Sequence, residues 1–327
     1  MKKVAMFDAK SYDKVWFDKL KGDYGIEITY FEEKLSPETA KLTEGFDAVC
    51  AFVNDDLSAG TIDVFAGNDI GVLAMRCAGF DRVDLKSAEN RVKVFRVPAY
   101  SPNAVAEHAM SLLMCLNRNL HKAHNLCTKY DFRLDGLIGF DLVGKTVGVI
   151  GTGKIGQVFV NICKGFGMNI LAYDVYPVDI PGIQYVELPE LFAKSDVISL
   201  HCPMTPENRH LINKDNLALM KDGVYIINTS RGGLVNGADI LDALNSGKVG
   251  GAGIDVYEFE SGVFFEDRTK DMPDDKVLKA LLAHPNVLIT AHQAYLTEEA
   301  LKAIAEVTLT NLTDFFNGKS NNNEVKL

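Results

Sequence analysis

The chain has 327 residues, of which 47% are hydrophobic and 24% charged, and its formal net charge is −10. This length is typical of about two domains. The acidic balance argues against nucleic acid or an anionic membrane as a partner, because both bind basic surfaces. No apolar run approaches the ~18 residues that a membrane span requires.

Six cysteines are scattered along the chain without a C-x-x-C pair, and the histidines have no metal-ligand spacing. This pattern predicts reduced thiols in a cytoplasmic protein and no metal site. The N-terminus leads directly into a predicted strand, without the apolar segment of a secretory signal.

In the first hundred residues, short apolar runs alternate with helical segments. The predicted strands are Val4 to Phe7, Ile26 to Tyr30, Asp47 to Phe52, Ile70 to Met75 and Val92 to Val97. The predicted helices are Asp13 to Lys21, Pro37 to Leu42, Thr61 to Ala66 and Leu85 to Asn90. This alternation predicts a doubly wound parallel sheet, and we expect a flavodoxin-like domain.

Two further helices are predicted. Ser101 opens a long apolar-patterned helix that continues to about Cys127, with Pro102 in its first turn. Thr297 to Phe316 has the apolar spacing of an amphipathic helix, which Gly318 ends. The polar tail that follows, residues 321–327, is expected to be frayed.

A glycine fingerprint lies at the centre of the chain. The β-prone run Thr146 to Ile150 is followed by Gly151, Gly153 and Gly156 at the spacing G-x-G-x-x-G, and then by a predicted helix, Gln157 to Phe166. In this pattern the first glycine allows a tight turn, the second lets the backbone approach a pyrophosphate, and the third lets the helix pack on the sheet. The free N–H groups of the helix N-terminus bind phosphate.

An acidic residue completes the fingerprint. The next predicted strand, Asn169 to Tyr173, ends on Asp174. A carboxylate there accepts hydrogen bonds from both ribose hydroxyls and repels a 2′-phosphate. No Arg or Lys follows in residues 175–179, so the sequence predicts a Rossmann domain that binds NAD rather than NADP.

The remaining strands of this domain are predicted at Asp196 to Leu200, Val224 to Asn228, Gly251 to Ile254 and Val287 to Thr290. Ligands in such sheets bind at the carboxyl ends of the strands. Three of these ends carry polar side chains that a core would not need: Arg231, the acidic pair Glu258 and Glu260, and His292.

Arginine, carboxylate and histidine beside a nicotinamide are typical of a carbonyl reductase. Arginine binds a carboxylate and polarises a neighbouring carbonyl, while histidine, which titrates near neutral pH, donates a proton. A carboxylate on the other imidazole nitrogen orients the ring. The pattern alone does not separate Glu258 from Glu260. Among the other histidines, His201 lies in a loop better placed to cover the cofactor, and His284 lies at the wrong end of a strand.

Several motifs, in this order and spacing, resemble those of the NAD-dependent D-2-hydroxyacid dehydrogenases. They are Ala78-Gly-Phe-Asp81, the segment from Val97 to Glu107, Gly151-Thr-Gly-Lys-Ile-Gly156, Ser230-Arg-Gly-Gly233, Asp255-Val-Tyr-Glu258 with Glu260, and the segment from Pro285 to His292. The resemblance covers nearly the whole chain and is strongest to the branch that reduces pyruvate.

The resemblance implies that His292 is the acid and base, Glu260 its partner and Arg231 the substrate clamp. It implies a cofactor site formed by Gly151, Gly153, Lys154, Ile155, Gly156, Asp174, Cys202, Pro203, Asn208, Thr229, Ser230 and Asp255. Lys154 and Cys202 are expected to contribute backbone atoms.

In the family, the substrate lies in a cleft between the domains. The backbone of Ala78 and Gly79 is expected to hold the substrate carboxylate. Tyr100, Phe52 and Tyr295 are candidates either for shaping the substrate pocket or for ordinary packing. The chain differs from related enzymes at Gln293 and Cys202.

We therefore expect a catalytic domain of residues 1–100 and 298–327 and an NAD-binding domain of residues 101–297, which close around segments near 100 and 297. The expected reaction reduces a 2-keto acid, pyruvate above all, to the D-2-hydroxy acid with NADH. The alternatives are an enzyme for bulkier 2-keto acids and a non-catalytic NAD-sensing module. A homodimer through the NAD-binding domain is expected.

Overall fold

A computed structural model describes residues 1–326. The chain divides into two compact units, Met1–Ser101 with Leu296–Leu327, and Pro102–Tyr295. These limits lie within two residues of the predicted domain boundaries. We call them unit 1 and unit 2.

Unit 1 begins with alternating strands and helices. The strands are β1 (Lys2–Met6), β2 (Ile26–Tyr30), β3 (Ala48–Ala51), β4 (Val72–Met75) and β5 (Lys93–Phe95), and the α-helices are α1 (Ser11–Leu20), α2 (Ala59–Gly67) and α3 (Leu85–Ala88). The helix predicted from Pro37 is instead a 3₁₀ helix, Thr39–Thr43.

Unit 2 contains α4 (Pro102–Asn117), α5 (Leu120–Cys127), β6 (Thr146–Ile150), α6 (Lys154–Gly165), β7 (Asn169–Tyr173), β8 (Gln184–Tyr185), α7 (Leu188–Lys194) and β9 (Val197–Leu200). It continues with α8 (Lys214–Leu219), β10 (Val224–Asn228), a 3₁₀ helix (Gly232–Leu234), α9 (Gly237–Asn245), β11 (Val249–Ile254), α10 (Lys276–Ala283) and β12 (Val287–Ile289). The chain then returns to unit 1 with α11 (Glu298–Phe316) and β13 (Glu324–Val325).

The sheet of unit 1 has the strand order β2-β1-β3-β4-β5, with all five strands parallel. This is the flavodoxin-like order that we expected. The expectation of a frayed C-terminal tail is wrong, because β13 pairs antiparallel with β5, placing Glu324 opposite Phe95 and Val325 opposite Val94. Backbone pairing with an otherwise open sheet edge orders this polar segment.

The sheet of unit 2 has the order β8-β7-β6-β9-β10-β11-β12, and all its strands are parallel. This is the Rossmann order, with β12 as an added strand, and the predicted fold class is confirmed. The order reverses between β6 and β9, so the loops after these strands diverge and open a crevice at the carboxyl edge.

Helices cover both faces of this sheet, which explains why its strands are nearly continuous apolar runs. Ile198 packs on the same face as Phe192 of α7, and Val197 on the face that holds Leu113 of α4 and Phe159 of α6. Position 148, within β6, requires glycine, because a Cβ there would be 2.4 Å from a methyl group of Leu191.

The single helix predicted from Ser101 to about Cys127 is two helices. α4 ends at Asn117, and Asn119 adopts a left-handed backbone conformation, φ +49°, which breaks the helical repeat. The buried Asn117 side chain bonds the backbone of Phe140. Its amide N–H donates to the Phe140 carbonyl at 2.8 Å, and its oxygen accepts from the Phe140 N–H at 2.9 Å.

None of the helices in residues 1–326 combines the length and the apolar character needed to cross a membrane.

Candidate active site

The glycine turn of unit 2 encloses open space at the carboxyl end of β6. Gly151 has φ +97°, and a Cβ there would lie 2.5 Å from the Cys202 nitrogen. A Cβ on Gly156 would lie 2.0 Å from the Gly151 oxygen, so the helix meets the turn directly. Around Gly153 a Cβ would meet nothing within 4 Å. Because α6 begins at Lys154, three residues earlier than predicted, its free N–H groups lie at this space. The turn therefore fits a dinucleotide pyrophosphate.

Asp174 lies at the end of β7, the next strand of the sheet. Its carboxylate accepts from the Thr152 N–H at 2.6 Å, the Thr152 hydroxyl at 3.1 Å and the Tyr176 N–H at 2.9 Å. The Tyr185 hydroxyl in turn donates to the Thr152 hydroxyl oxygen at 2.9 Å. These contacts hold a half-buried acid beside the glycine turn, where it fits a ribose diol.

The loop after β9 carries Cys202, Pro203 and Asn208. The Asn208 side chain folds this loop, donating to the Pro203 carbonyl at 2.8 Å and accepting from the Thr205 N–H at 2.7 Å. Desolvation raises the pKa of the Cys202 thiol to about 11, so the thiol is neutral at physiological pH. The Cys202 carbonyl accepts from the Ser230 hydroxyl at 2.5 Å, which joins this loop to the loop after β10.

Asn228, the last residue of β10, holds the turn that carries Arg231. Its fully buried side chain accepts from the Ser230 N–H at 3.0 Å and donates to the Arg231 carbonyl at 2.9 Å. Thr229 lies between them, and its buried hydroxyl has no hydrogen-bond partner among residues 1–326. An unpartnered buried hydroxyl at this edge fits the predicted cofactor contact.

Arg231 is half-buried, and its guanidinium donates to the Ser230 carbonyl at 2.9 Å. The glycine after it is required by a close backbone contact, since a Cβ on Gly232 would lie 2.1 Å from the Tyr257 carbonyl carbon. The loop of Arg231 therefore packs directly against the acidic loop after β11.

His292 and Glu260 form a close pair. The Nδ1 atom of His292 lies 2.8 Å from Oε1 of Glu260, and the second carboxylate oxygen accepts from the Tyr257 N–H at 3.1 Å. Because an ionised carboxylate only accepts, Nδ1 donates. The His292 side chain is 21% exposed, and its Nε2 atom makes no hydrogen bond with residues 1–326, which leaves this nitrogen for a substrate.

The geometry separates Glu260 from Glu258, which the pattern alone could not do. Glu258 binds the side chains of Arg209 and His210, the latter at 2.9 Å, rather than His292. The two acids therefore have different histidine partners.

The competing histidines lie in other environments. His201 contacts the Ser199 hydroxyl at 2.9 Å and packs on Phe159. Desolvation lowers the pKa of His201 to about 3, so this ring is neutral and a poor proton donor. His284 precedes β12 and accepts from the Asn286 N–H at 3.2 Å, at the amino end of the strand.

Asp255 is fully buried and builds the turn that presents His292. Its carboxylate accepts from the Thr290 hydroxyl at 2.6 Å and from the N–H groups of Gln293 at 2.8 Å and Ala294 at 3.0 Å. Its backbone carbonyl accepts from the His292 N–H at 2.7 Å, and His292 itself has φ +53°. All of these bonds join Asp255 to other residues of the protein and do not test its predicted contact with the cofactor. That contact stays a prediction.

These hydrogen bonds also control the charge of Asp255. Burial raises the pKa of its carboxyl group, but hydrogen bonds from the side chains of His108 and Thr290 and from two backbone N–H groups outweigh that effect. The pKa is therefore held below its ordinary value.

Two predicted substrate contacts lie in unit 1, at the carboxyl end of β4. The Ala78 carbonyl accepts from the Arg96 guanidinium at 3.0 Å, and the Gly79 carbonyl accepts from the Cys77 thiol at 3.2 Å. These bonds use carbonyl oxygens, and the contact of the N–H groups with substrate stays a prediction.

The three aromatic candidates differ in burial. Phe52 is 5% exposed and packs against the Arg76 guanidinium, 4.6 Å from its ring centroid. Tyr295, in unit 2, is 8% exposed. For both, burial favours the packing role over direct substrate contact. Tyr100 is half-buried.

Sequence reasoning missed the residues that support the site. The Asn228 side chain bonds the Arg231 carbonyl, and the Thr290 hydroxyl bonds the Asp255 carboxylate. His108 contacts Thr290 in turn. The one available signal was a polar side chain inside or directly after an apolar run. Among residues 1–326 no group of three or more His, Cys, Asp or Glu side chains could hold a metal ion.

A Rossmann sheet with a paired histidine and glutamate and an arginine at its carboxyl edge defines an NAD-dependent oxidoreductase. Residues 110–294 match the family model of the D-isomer specific 2-hydroxyacid dehydrogenase, NAD binding domain. The chain belongs to this family, and the predicted family and cofactor are confirmed.

Individual members of the family are similar over nearly their whole length. The D-lactate dehydrogenase of Escherichia coli is 48% identical, with 99% of each chain covered. The pyruvate reductase of Chlamydomonas reinhardtii is 42% identical with a TM-score of 0.94, covering 99% of this chain and 98% of that one. A D-2-hydroxyisocaproate dehydrogenase is 35% identical with a TM-score of 0.90, covering 99% and 100%.

Proposed function

We propose that the protein catalyses the reversible reduction of pyruvate to D-lactate with NADH. The observation that carries the proposal is the His292–Glu260 pair. His292 binds the Glu260 carboxylate through Nδ1, and its Nε2 atom has no protein partner in residues 1–326. The choice of pyruvate is supported by the relatives named above as lactate dehydrogenase and pyruvate reductase.

Each side chain of the site has a distinct task in this reaction. The Arg231 guanidinium binds the substrate carboxylate in a two-bond arrangement and polarises the adjacent carbonyl. Bound NADH supplies the hydride. His292 donates the Nε2 proton to the carbonyl oxygen, and in the reverse direction it accepts that proton. Glu260 orients the ring through Nδ1 and stabilises the charged imidazolium before transfer.

The residues proposed to hold NADH come from successive strand ends of unit 2. The glycine turn and Asp174 are suited to the pyrophosphate and the adenine-side ribose. The remaining contacts are Lys154 and Ile155 at the start of α6, Cys202, Pro203 and Asn208 after β9, Thr229 and Ser230 after β10, and Asp255 after β11.

The test is NADH oxidation with a panel of 2-keto acids, namely pyruvate, 2-ketobutyrate, 2-ketoisocaproate and phenylpyruvate, followed by chiral analysis of the product. We expect the highest kcat/KM with pyruvate and a D product. An L product, or pyruvate turnover no better than that of the bulky acids, would contradict the proposal.

The panel also distinguishes the two alternatives. Preference for 2-ketoisocaproate or phenylpyruvate keeps the mechanism and changes the substrate, as in the isocaproate enzyme of the same fold. NADH binding without turnover of any keto acid would indicate the NAD-sensing module, which has no use for the Arg231, Glu260 and His292 set.

We also propose a homodimer formed through unit 2, by a surface that consists of α5 and residues 128–143. α5 contributes no buried residue, and large apolar side chains after it are exposed, Tyr130 by 86% and Ile138 by 92%. An exposed apolar segment of this kind is typical of an interface. A second copy is the occupant we propose, since symmetric dimers are the commonest oligomers.

Sedimentation of the wild type and of Ile138→Asp tests the dimer. We expect a dimer for the wild type and a monomer for the variant. Met272→Asp, which changes another highly exposed apolar side chain of unit 2 outside the proposed surface, is the control and should remain dimeric. A monomeric wild type would overturn the proposal.

We further propose a cytoplasmic, fermentative role. Within residues 1–326 no cysteine takes part in a disulfide, which fits a reducing compartment, and pyruvate reduction regenerates NAD. Cell fractionation tests the location, and recovery of the enzyme outside the cytoplasm would refute it.

A further inference from the structure

His108 lies on α4 and contacts the strand end that precedes the turn of His292. Its Nε2 atom is 3.0 Å from the Thr290 hydroxyl oxygen and 3.4 Å from Oδ1 of Asp255. The reaction proposed above assigns no task to this histidine, although its imidazole contacts the buried acid.

The hydrogens in this cluster can be assigned by counting donors. The Thr290 hydroxyl has one hydrogen, and it lies 2.6 Å from the Asp255 carboxylate, which only accepts. Thr290 therefore donates to Asp255 and must accept in its contact with His108. It follows that Nε2 of His108 carries a hydrogen, which it donates chiefly to Thr290 at 3.0 Å and shares with the more distant Asp255 oxygen at 3.4 Å.

The chain of bonds continues to His292. The same carboxylate accepts the N–H groups of Gln293 and Ala294. The Asp255 carbonyl accepts the N–H of His292, whose backbone is held at a positive φ. An L residue at positive φ needs such support from its surroundings. The orientation of the His292 ring thus depends on where Asp255 is held.

We propose that His108 is a positioning residue for His292, acting through Thr290 and Asp255. The Nε2–H of His108 fixes the Thr290 hydroxyl, which directs its own hydrogen to Asp255. The buried carboxylate then stays where it accepts the Thr290 hydroxyl before His292 and the backbone N–H groups of Gln293 and Ala294 after it. The inference rests on the proposed function in that His292 is taken as the proton donor.

Two variants of matched length separate this role from simple packing. His108→Met fills the same space without an N–H, whereas His108→Gln has an amide N–H at a comparable distance from the backbone. We expect kcat for His108→Met to fall about ten-fold, since small errors of orientation reduce rates strongly. KM for the keto acid and the Kd of NADH should stay within about two-fold, because neither ligand is bound by His108. His108→Gln should recover most of kcat.

A double-mutant cycle tests the route. Thr290→Val removes the hydroxyl that receives the His108 N–H, so His108→Met should have little further effect in that background. Fully additive losses in kcat would overturn the proposed route. His284→Ala is the control, because His284 lies at the other end of β12, where its side chain accepts from the nearby Asn286 N–H. Its kcat should equal that of the wild type.

Histidine NMR of the protein without cofactor gives a readout independent of turnover. The His292 ring signal, assigned by its loss in His292→Gln, should shift or broaden in His108→Met and return in His108→Gln. An unchanged His292 signal together with wild-type kcat in His108→Met would overturn the inference, as would an equal loss in both variants. If the wild type reduced no keto acid, the proposed function would fail, while the NMR comparison would still decide the positioning role.

Discussion

Replacing Asp255 by Asn tests whether this acid builds the turn of His292 or binds the cofactor. Asn keeps the shape but has one acceptor oxygen and an NH₂ group. Of the two orientations, the less harmful keeps the bonds to Thr290 and Gln293 and turns the NH₂ towards the N–H of Ala294.

The expected loss can be worked out bond by bond. The bond from Ala294 to a charged acceptor is lost, at about 1.5–3 kcal/mol, and a buried N–H remains unpaired, at about 1–3 kcal/mol. Removing a buried charge offsets part of this. We expect the free energy of unfolding to fall by about 3 kcal/mol, which lowers Tm by roughly 6–12 °C for a unit of this size.

The pH dependence of this loss has a definite sign. Hydrogen bonds hold the pKa of Asp255 below its ordinary value in the folded protein. Its contribution to stability is therefore complete above the unfolded pKa of about 3.9 and disappears only as pH falls through the lower folded value. The stability difference between wild type and Asp255→Asn should thus be constant from about pH 5 to pH 8.

Calorimetry, NADH titration and steady-state kinetics provide the assay. If Asp255 builds the turn, the Tm of Asp255→Asn is lower than that of the wild type. Its kcat falls about 100-fold because His292 is displaced, while the Kd of NADH changes little. A variant with wild-type Tm and strongly weakened NADH binding would refute this reasoning and support the cofactor contact. His284→Ala serves as the control for a histidine-strand contact remote from the turn.

Three further substitutions test the proposed roles. His292→Ala should reduce kcat by about 10³-fold with NADH affinity largely kept, and wild-type kcat would exclude it as the acid. Arg231→Ala should raise KM for the keto acid strongly and lower kcat, whereas an unchanged KM would place the carboxylate clamp elsewhere. Asp174→Ala should weaken NADH binding and relax discrimination against NADPH, and an unchanged NADH/NADPH ratio of kcat/KM would count against the ribose contact.

The fold was largely predictable because glycines and short apolar runs mark the strands. β6, β7 and β10 have the predicted bounds. The failures depend on tertiary contacts. The helix break at Asn119 is accompanied by bonds of Asn117 to Phe140, a residue 23 positions away in sequence. The order of the C-terminal tail follows from its pairing with β5.

The part of the candidate site that could be predicted consists of single polar residues that directly follow predicted strands. Arg231, Glu260 and His292 follow successive strands, so their position at one edge of the sheet follows from the parallel strand order. The residue pattern alone did not choose between Glu258 and Glu260, because both follow β11 at short spacing, and the family resemblance was needed to favour Glu260. Only the structure places Arg209 and His210 against Glu258.

The supporting residues could not be predicted for a further reason. Thr290 lies beside His292 in sequence, but its function comes from bonds to Asp255 and His108, which are 35 and 182 residues away. A polar residue in an apolar helix, as His108 is, has no local property that distinguishes a structural from a functional role. A candidate proton donor at the strand end can therefore be named from the sequence, whereas the bonds that hold His292 at a positive φ are a property of the folded sheet. For this reason we expect substitutions of His108 and Asp255 to change turnover although neither residue has a predicted task in proton transfer.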